Sequence, residues 1–63
     1  MAAADLKSAQ AIAHAAATVV ENAVGEIDRL VSIELERSHA AEARRLGVIG
    51  EALSREAERL RGV

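Results

Sequence analysis

The feature that most constrains this chain is its apolar inventory: fifteen alanines, sixteen Leu, Ile and Val together, and no Phe, Tyr or Trp. Alanine is the strongest helix former, and no proline is present to break a helix. Alanine also buries little area, and aromatic rings supply much of a usual core. The composition therefore predicts an all-α protein whose helices pack closely on other helices, including those of a second chain. Residues 1–63 form one small helical domain at most. Chains this short usually add disulfides, a metal or oligomerisation to hold a fold. The lack of cysteine removes disulfides and thiolate metal sites together. What is left is self-association into a homo-oligomeric helical bundle, or docking on another protein. A dimer is the commonest closed arrangement.

Helical spacing runs through most of the chain. Leu6, Ala9, Ala13, Ala16, Val20, Ala23, Ile27 and Leu30 recur at alternating steps of three and four, the seam of a left-handed helical packing. Past Leu30 that seam would meet Glu34 and Arg37. Moving to Val31, Leu35, His39, Ala43, Leu46, Gly50, Leu53, Ala57 and Leu60 restores the rhythm. Such a slip marks either a stutter in a coiled coil or a turn. The spacing predicts one long helical segment over 2–46, and leaves open whether it runs unbroken or is bent or turned into a hairpin near Gly25 or Ser38. The strongest break falls at Gly47, which suits the left-handed position closing a helix. A short helix then follows over 49–61, ended by Gly62.

Charge divides the chain in two. Residues 1–25 carry only Asp5, Lys7 and Glu21, whereas 26–63 carry eight acids and seven arginines. In the second half Glu26–Arg29, Glu34–Arg37, Glu42–Arg45, Glu56–Arg59, Glu58–Arg61 and Glu51–Arg55 stand one helical turn apart. They mark a solvated face opposite a Leu/Ile/Val stripe. Ala9–Val20 is apolar apart from Gln10, His14 and Thr18, so it is the stretch expected to be covered on more than one side. The interface residues expected from these stripes are Leu6, Ile12, Ala13, Ala16, Val19, Val20, Ala23, Ile27 and Leu30 in the first half. Val31, Leu35, Leu46, Ile49, Leu53 and Leu60 continue them. Two contact surfaces are open: Ile12, Val19 and Val20, or an outer stripe of Val24, Val31 and Ile33.

Ala9–Val20 is too short and too rich in alanine to span a membrane. Asp5 ahead of Lys7 makes a poor signal-peptide start. The absence of cysteine fits a cytoplasmic location, and no membrane partner is expected.

Little in the chain suggests chemistry. Glu36 and His39 have the Glu-x-x-His spacing of di-iron bundles, but such a site needs more carboxylates from facing helices. The blander reading, a polar pair at a seam or turn, is preferred. His14 stands alone among alanines and reads as structural. No nucleophile–base arrangement and no phosphate-cradling loop is present. The chain is expected to be no enzyme, with no cofactor and no metal.

One segment supports a different class of function. Ala43 precedes Gly47 by four, Leu46 and Val48 flank that glycine, and Leu53 lies six beyond it. This resembles the helix-turn-helix of bacterial DNA-binding proteins, which implies a DNA-binding regulator using residues 41–61. Glu42 and Glu56 depart from the pattern at positions that are usually apolar, and Ile49 and Gly50 replace its polar helix start. Glu51, Glu56 and Glu58 would oppose Arg55, Arg59 and Arg61 at the phosphates, which argues against a nucleic-acid partner. The leading expectation is a helical protein–protein interaction module, self-associating and acting as a small regulator, inhibitor or accessory subunit.

Overall fold

A computed structural model describes the backbone of residues 3–63 and the side chains from Lys7 onward. The chain forms an antiparallel hairpin of two helices, α1 (Ala3–Glu36) and α2 (Ala40–Arg61). No strand occurs among the described residues. The Cα trace spans 54 × 14 × 10 Å. At 1.5 Å per residue α1 is about 51 Å long and α2 about 33 Å, so α1 overruns its partner by roughly 18 Å. Arg61, the last residue of α2, reaches Glu21 and Thr18, so the overrun lies N-terminal to that point.

The seam shows how so poor an apolar inventory packs. On α2 the facing row is Ala43, Gly47, Gly50, Ser54 and Ala57, again at steps of four and three. All five side chains are small, so α2 lies close against the branched Val20, Val24, Ile27 and Val31 of α1. A Cβ placed on Gly50 would stand 3.4 Å from Ile27 Cγ2, which records how near the helices come. The buried hydrophobic residues are Ala17, Ala43 and Ala57, and no large side chain is fully buried among the described residues. The fully buried layer is alanine and glycine, flanked by the half-buried Val20, Val24, Ile27 and Val31. That layer supplies close dispersion contact but removes little apolar area from water.

The turn comes at Arg37–His39, not at Gly47. Ser38 takes the left-handed conformation, with φ 63°. The Ser38 N–H donates to the Leu35 carbonyl at 3.0 Å, and the His39 N–H donates to the Glu34 carbonyl at 2.8 Å. This pair of bonds closes α1 as a Schellman motif. The residues usually joined there by a hydrophobic contact are here Glu34 and His39, whose Oε2 and Nδ1 lie 2.7 Å apart. An ionised carboxylate only accepts, so the imidazole nitrogen donates. His39 then precedes α2 without a side-chain cap, and its carbonyl accepts the Ala43 N–H at 3.0 Å.

The expected break between 46 and 49 is therefore corrected: α2 runs unbroken from Ala40 to Arg61. A mid-helix glycine costs about 1 kcal/mol. Breaking the helix there would instead forfeit backbone hydrogen bonds and the close approach at Gly50. Gly25 likewise lies inside α1, exposed, and ends nothing. Of the two positions left open inside the expected long helix, Ser38 is where the chain turns. At the C-terminus Gly62 does close α2, its N–H shared between the carbonyls of Glu58 and Arg59.

The first-half seam is also rotated. Ala13, Ala16, Val20, Ala23 and Ile27 are half-buried as expected, but Ala9 and Leu30 are exposed, while Ala17, Val24 and Val31 turn inward. The periodicity of one helix fixes a stripe but not which edge of it meets the partner helix.

Candidate interaction face

Two lateral faces flank the seam, and they differ in kind. On one side α1 presents Ile12, Ala16, Val19, Ala23, Glu26, Leu30 and Ile33, and α2 presents Glu42, Leu46, Ile49, Leu53, Glu56 and Leu60. Both rows keep alternating steps of four and three, so each runs straight along its helix. The Gly50–Ile27 contact sets the register. It puts Leu30 level with Leu46, Ala23 with Leu53 and Ala16 with Leu60.

Within this face Ile12 is 70% exposed, Val19 67%, Ile49 49%, Leu30 46% and Ile33 37%. Single exposed aliphatics are ordinary, but a contiguous set on one side of a small molecule is not. The three acids on the face are neutralised within their own helices: Glu26 by Arg29 at 2.7 Å, Glu42 by Arg45 at 2.8 Å and Glu56 by Arg59 at 3.4 Å. Each exposed pair stabilises by a few tenths of a kcal/mol at best. Their larger effect is to leave the apolar face without net charge.

The opposite side is a shallow open groove. A stretch of about 520 Å³ is lined by Val24, Val31, Gly47 and Gly50 together with Asp28, Glu51 and Arg55. Toward the turn it continues past Leu35, Ala43 and Arg44. Its other end reaches Glu21, Ala57 and Glu58. Ser54 lines it with no histidine beside it.

A clamp closes the open end of the hairpin. The Arg61 guanidinium donates to both carboxylate oxygens of Glu21, with Nε–Oε2 at 3.2 Å, and to Thr18 Oγ1 at 3.1 Å. The Thr18 hydroxyl in turn donates to the His14 carbonyl at 3.3 Å. The hydrogen bonds from Arg61 hold the Glu21 carboxyl below its ordinary pKa and raise that of the guanidinium.

Of the expected interface residues, Ile12, Val19, Leu30 and Ile49 stand exposed on the apolar face, with Ala16, Ala23, Leu46, Leu53 and Leu60 half-buried beside them. Val20, Ile27 and Val31 instead pack within the hairpin seam, and Ala13 is half-buried just past the end of α2. Leu35 is exposed at the turn end of the groove, and Leu6 lies outside the described side chains. The two proposed contact surfaces are thereby rearranged: Ile12 and Val19 share a face with Ile33, while Val20, Val24 and Val31 turn to α2.

Several side chains take partners other than those one helical turn away. His39 joins Glu34 rather than Glu36. Among the described residues no cluster of three or more His, Asp or Glu side chains could hold a metal ion. Residues 41–55 form continuous helix, so the turn that a helix-turn-helix requires at Gly47 is absent. Arg61 reaches Glu21 across the hairpin instead of Glu58 on its own helix. Neither that clamp nor the Glu34–His39 contact was found by reasoning from helical spacing, which relates residues only within one helix. No helix among the described residues is long and apolar enough to cross a membrane. Comparison with known protein families, with curated proteins and with solved structures finds no match to this chain.

Proposed function

We propose that this chain is a non-enzymatic interaction module that self-associates through its apolar face. In that role it would serve as a small regulator, inhibitor or accessory subunit of another protein. One observation carries the reading: Ile12, Val19, Leu30, Ile33 and Ile49 stand exposed and in register on one side of a hairpin whose fully buried layer is alanine and glycine. Covering the exposed half of five such side chains yields about 1 kcal/mol each, or roughly 5 kcal/mol per copy before ordering costs. A hairpin with so thin an interior gains proportionately much from that burial.

Light scattering with refractive-index detection suits a chain without Trp or Tyr. The expected result is a mass above that of one 6.6 kDa chain. In Ile49→Glu the mass falls to that of one chain, because an unpaired carboxylate is costly to bury. A wild-type protein that keeps the single-chain mass at every concentration would refute self-association.

A further inference from the structure

Resting on that reading, we infer that the occupant of the apolar face is a second copy, packed antiparallel about a two-fold axis at the level of Ala23 and Leu53. In this arrangement α1 lies on α1 of the other copy and α2 on α2. The argument is one of matching volumes along the face.

Within one chain Leu30 is level with Leu46, and Ala16 with Leu60, on either side of Ala23 and Leu53. A two-fold axis at that central level brings the Leu30–Leu46 layer against Ala16 and Leu60 of the second copy. Each outer layer then contains three leucines and one alanine, and the central layer two of each. Alternating large and small side chains in this way fills a bundle evenly. Rotation about an axis parallel to the helices would instead stack four leucines in one layer and leave the opposite end thin.

The overrun of α1 points the same way. Ile12 lies on the stretch that α2 does not reach, and it is 70% exposed. The antiparallel arrangement sets Ile12 against Ile33 of the second copy, beside its turn. The parallel-axis alternative leaves Ile12 with no helix of α2 at its height. Charge agrees as well. Glu26 meets Val19 of the second copy and Glu56 meets Ile49, so neither of these two acids faces an acid, and each keeps its own arginine. The row from Ile12 to Ile33 is about 32 Å long. Two helices wide, the contact buries on the order of 1,200 Å² in total, within the range of specific interfaces.

The chain contains no cysteine, so single cysteines report contacts cleanly. Ala23→Cys is a small change on the proposed axis, and Leu53→Cys probes the same axis from α2. Val48→Cys, exposed and away from the apolar face, is the control. The expected result is twice the 6.6 kDa chain mass by light scattering. Under mild oxidation Ala23→Cys and Leu53→Cys close into disulfide dimers, and Val48→Cys does not at the same dilution. An assembled protein in which neither axial cysteine cross-links, or in which Val48→Cys cross-links equally well, overturns the arrangement and leaves self-association standing. Any assembled mass other than two chains overturns it likewise. A single-chain mass overturns both the arrangement and the reading beneath it.

Discussion

Ser38→Gly acts on the turn alone. Ser38 holds φ 63°, a conformation that places its Cβ against the backbone and costs an L-residue roughly 1–2 kcal/mol. Glycine removes that strain but carries more conformational entropy in the unfolded chain, which returns about 0.5–1 kcal/mol of the gain. The Ser38 side chain is exposed, so no packing is lost with it. The two backbone bonds that close α1 involve the Ser38 and His39 N–H groups, which the substitution leaves in place. The expected net stabilisation is about 0.75 kcal/mol, and in a domain of this size that raises the melting temperature by about 3–6 °C. Thermal melting followed by helical circular dichroism measures it, with both proteins at one chain concentration so that assembly does not confound the comparison. Ser38→Val, which puts a β-branched side chain at the same backbone angle, should move the midpoint down. An unchanged or lowered midpoint in Ser38→Gly would refute the turn geometry, and with it the placement of the break at Arg37–His39.

Gly47 and Gly50 separate two roles for a helical glycine. Gly47→Ala meets open space and should stabilise by about 1 kcal/mol in denaturant unfolding. Gly50→Leu drives a branched side chain into Ile27 and should destabilise by about 1–3 kcal/mol; equal effects at the two sites would contradict the seam. The clamp predicts a pH dependence. Because the folded-state pKa of Glu21 is lowered, its contribution is present above the ordinary glutamate range and is lost as pH falls through the lowered value. The stability difference between wild type and Arg61→Met should therefore shrink below about pH 4. A difference that stays flat through the acid range would remove the clamp. Leu30→Glu should lower both the assembled mass and the melting midpoint, and no change in either would show that Leu30 stays outside any interface.

The all-helical class followed from alanine content and from the absence of proline, and the second-half stripe from Ala43 to Leu60 followed from spacing. The Glu–Arg pairs at 26–29, 42–45 and 56–59 were equally legible, because helical geometry alone brings them together. The turn was harder. Glycine is the usual residue in the left-handed position, so Gly47 drew the break that a serine performs at position 38. What Gly50 does is visible only when Ile27 stands opposite it, a fact about two helices that a single periodicity does not contain. Ile12, Val19, Leu30 and Ile49 were legible as interface candidates, but dividing them from Val20, Ile27 and Val31 required knowing which edge of α1 meets α2.

The unequal length of the helices has a thermodynamic consequence. Starting a helix is the costly step, because several residues must be fixed before the first hydrogen bond forms. For Lys7 to Ile12 that step is already taken by the packed part of α1, and only propagation remains. Propagation depends on intrinsic preference, which is where alanine exceeds every other residue. The alanines of this stretch extend a helix that the hairpin has begun, in a region where α2 gives no support. Amide exchange should divide α1 accordingly: protection that follows global unfolding from Ala17 to Glu36, and toward Lys7 a graded decline with distance and temperature, as in a helical peptide attached to a template.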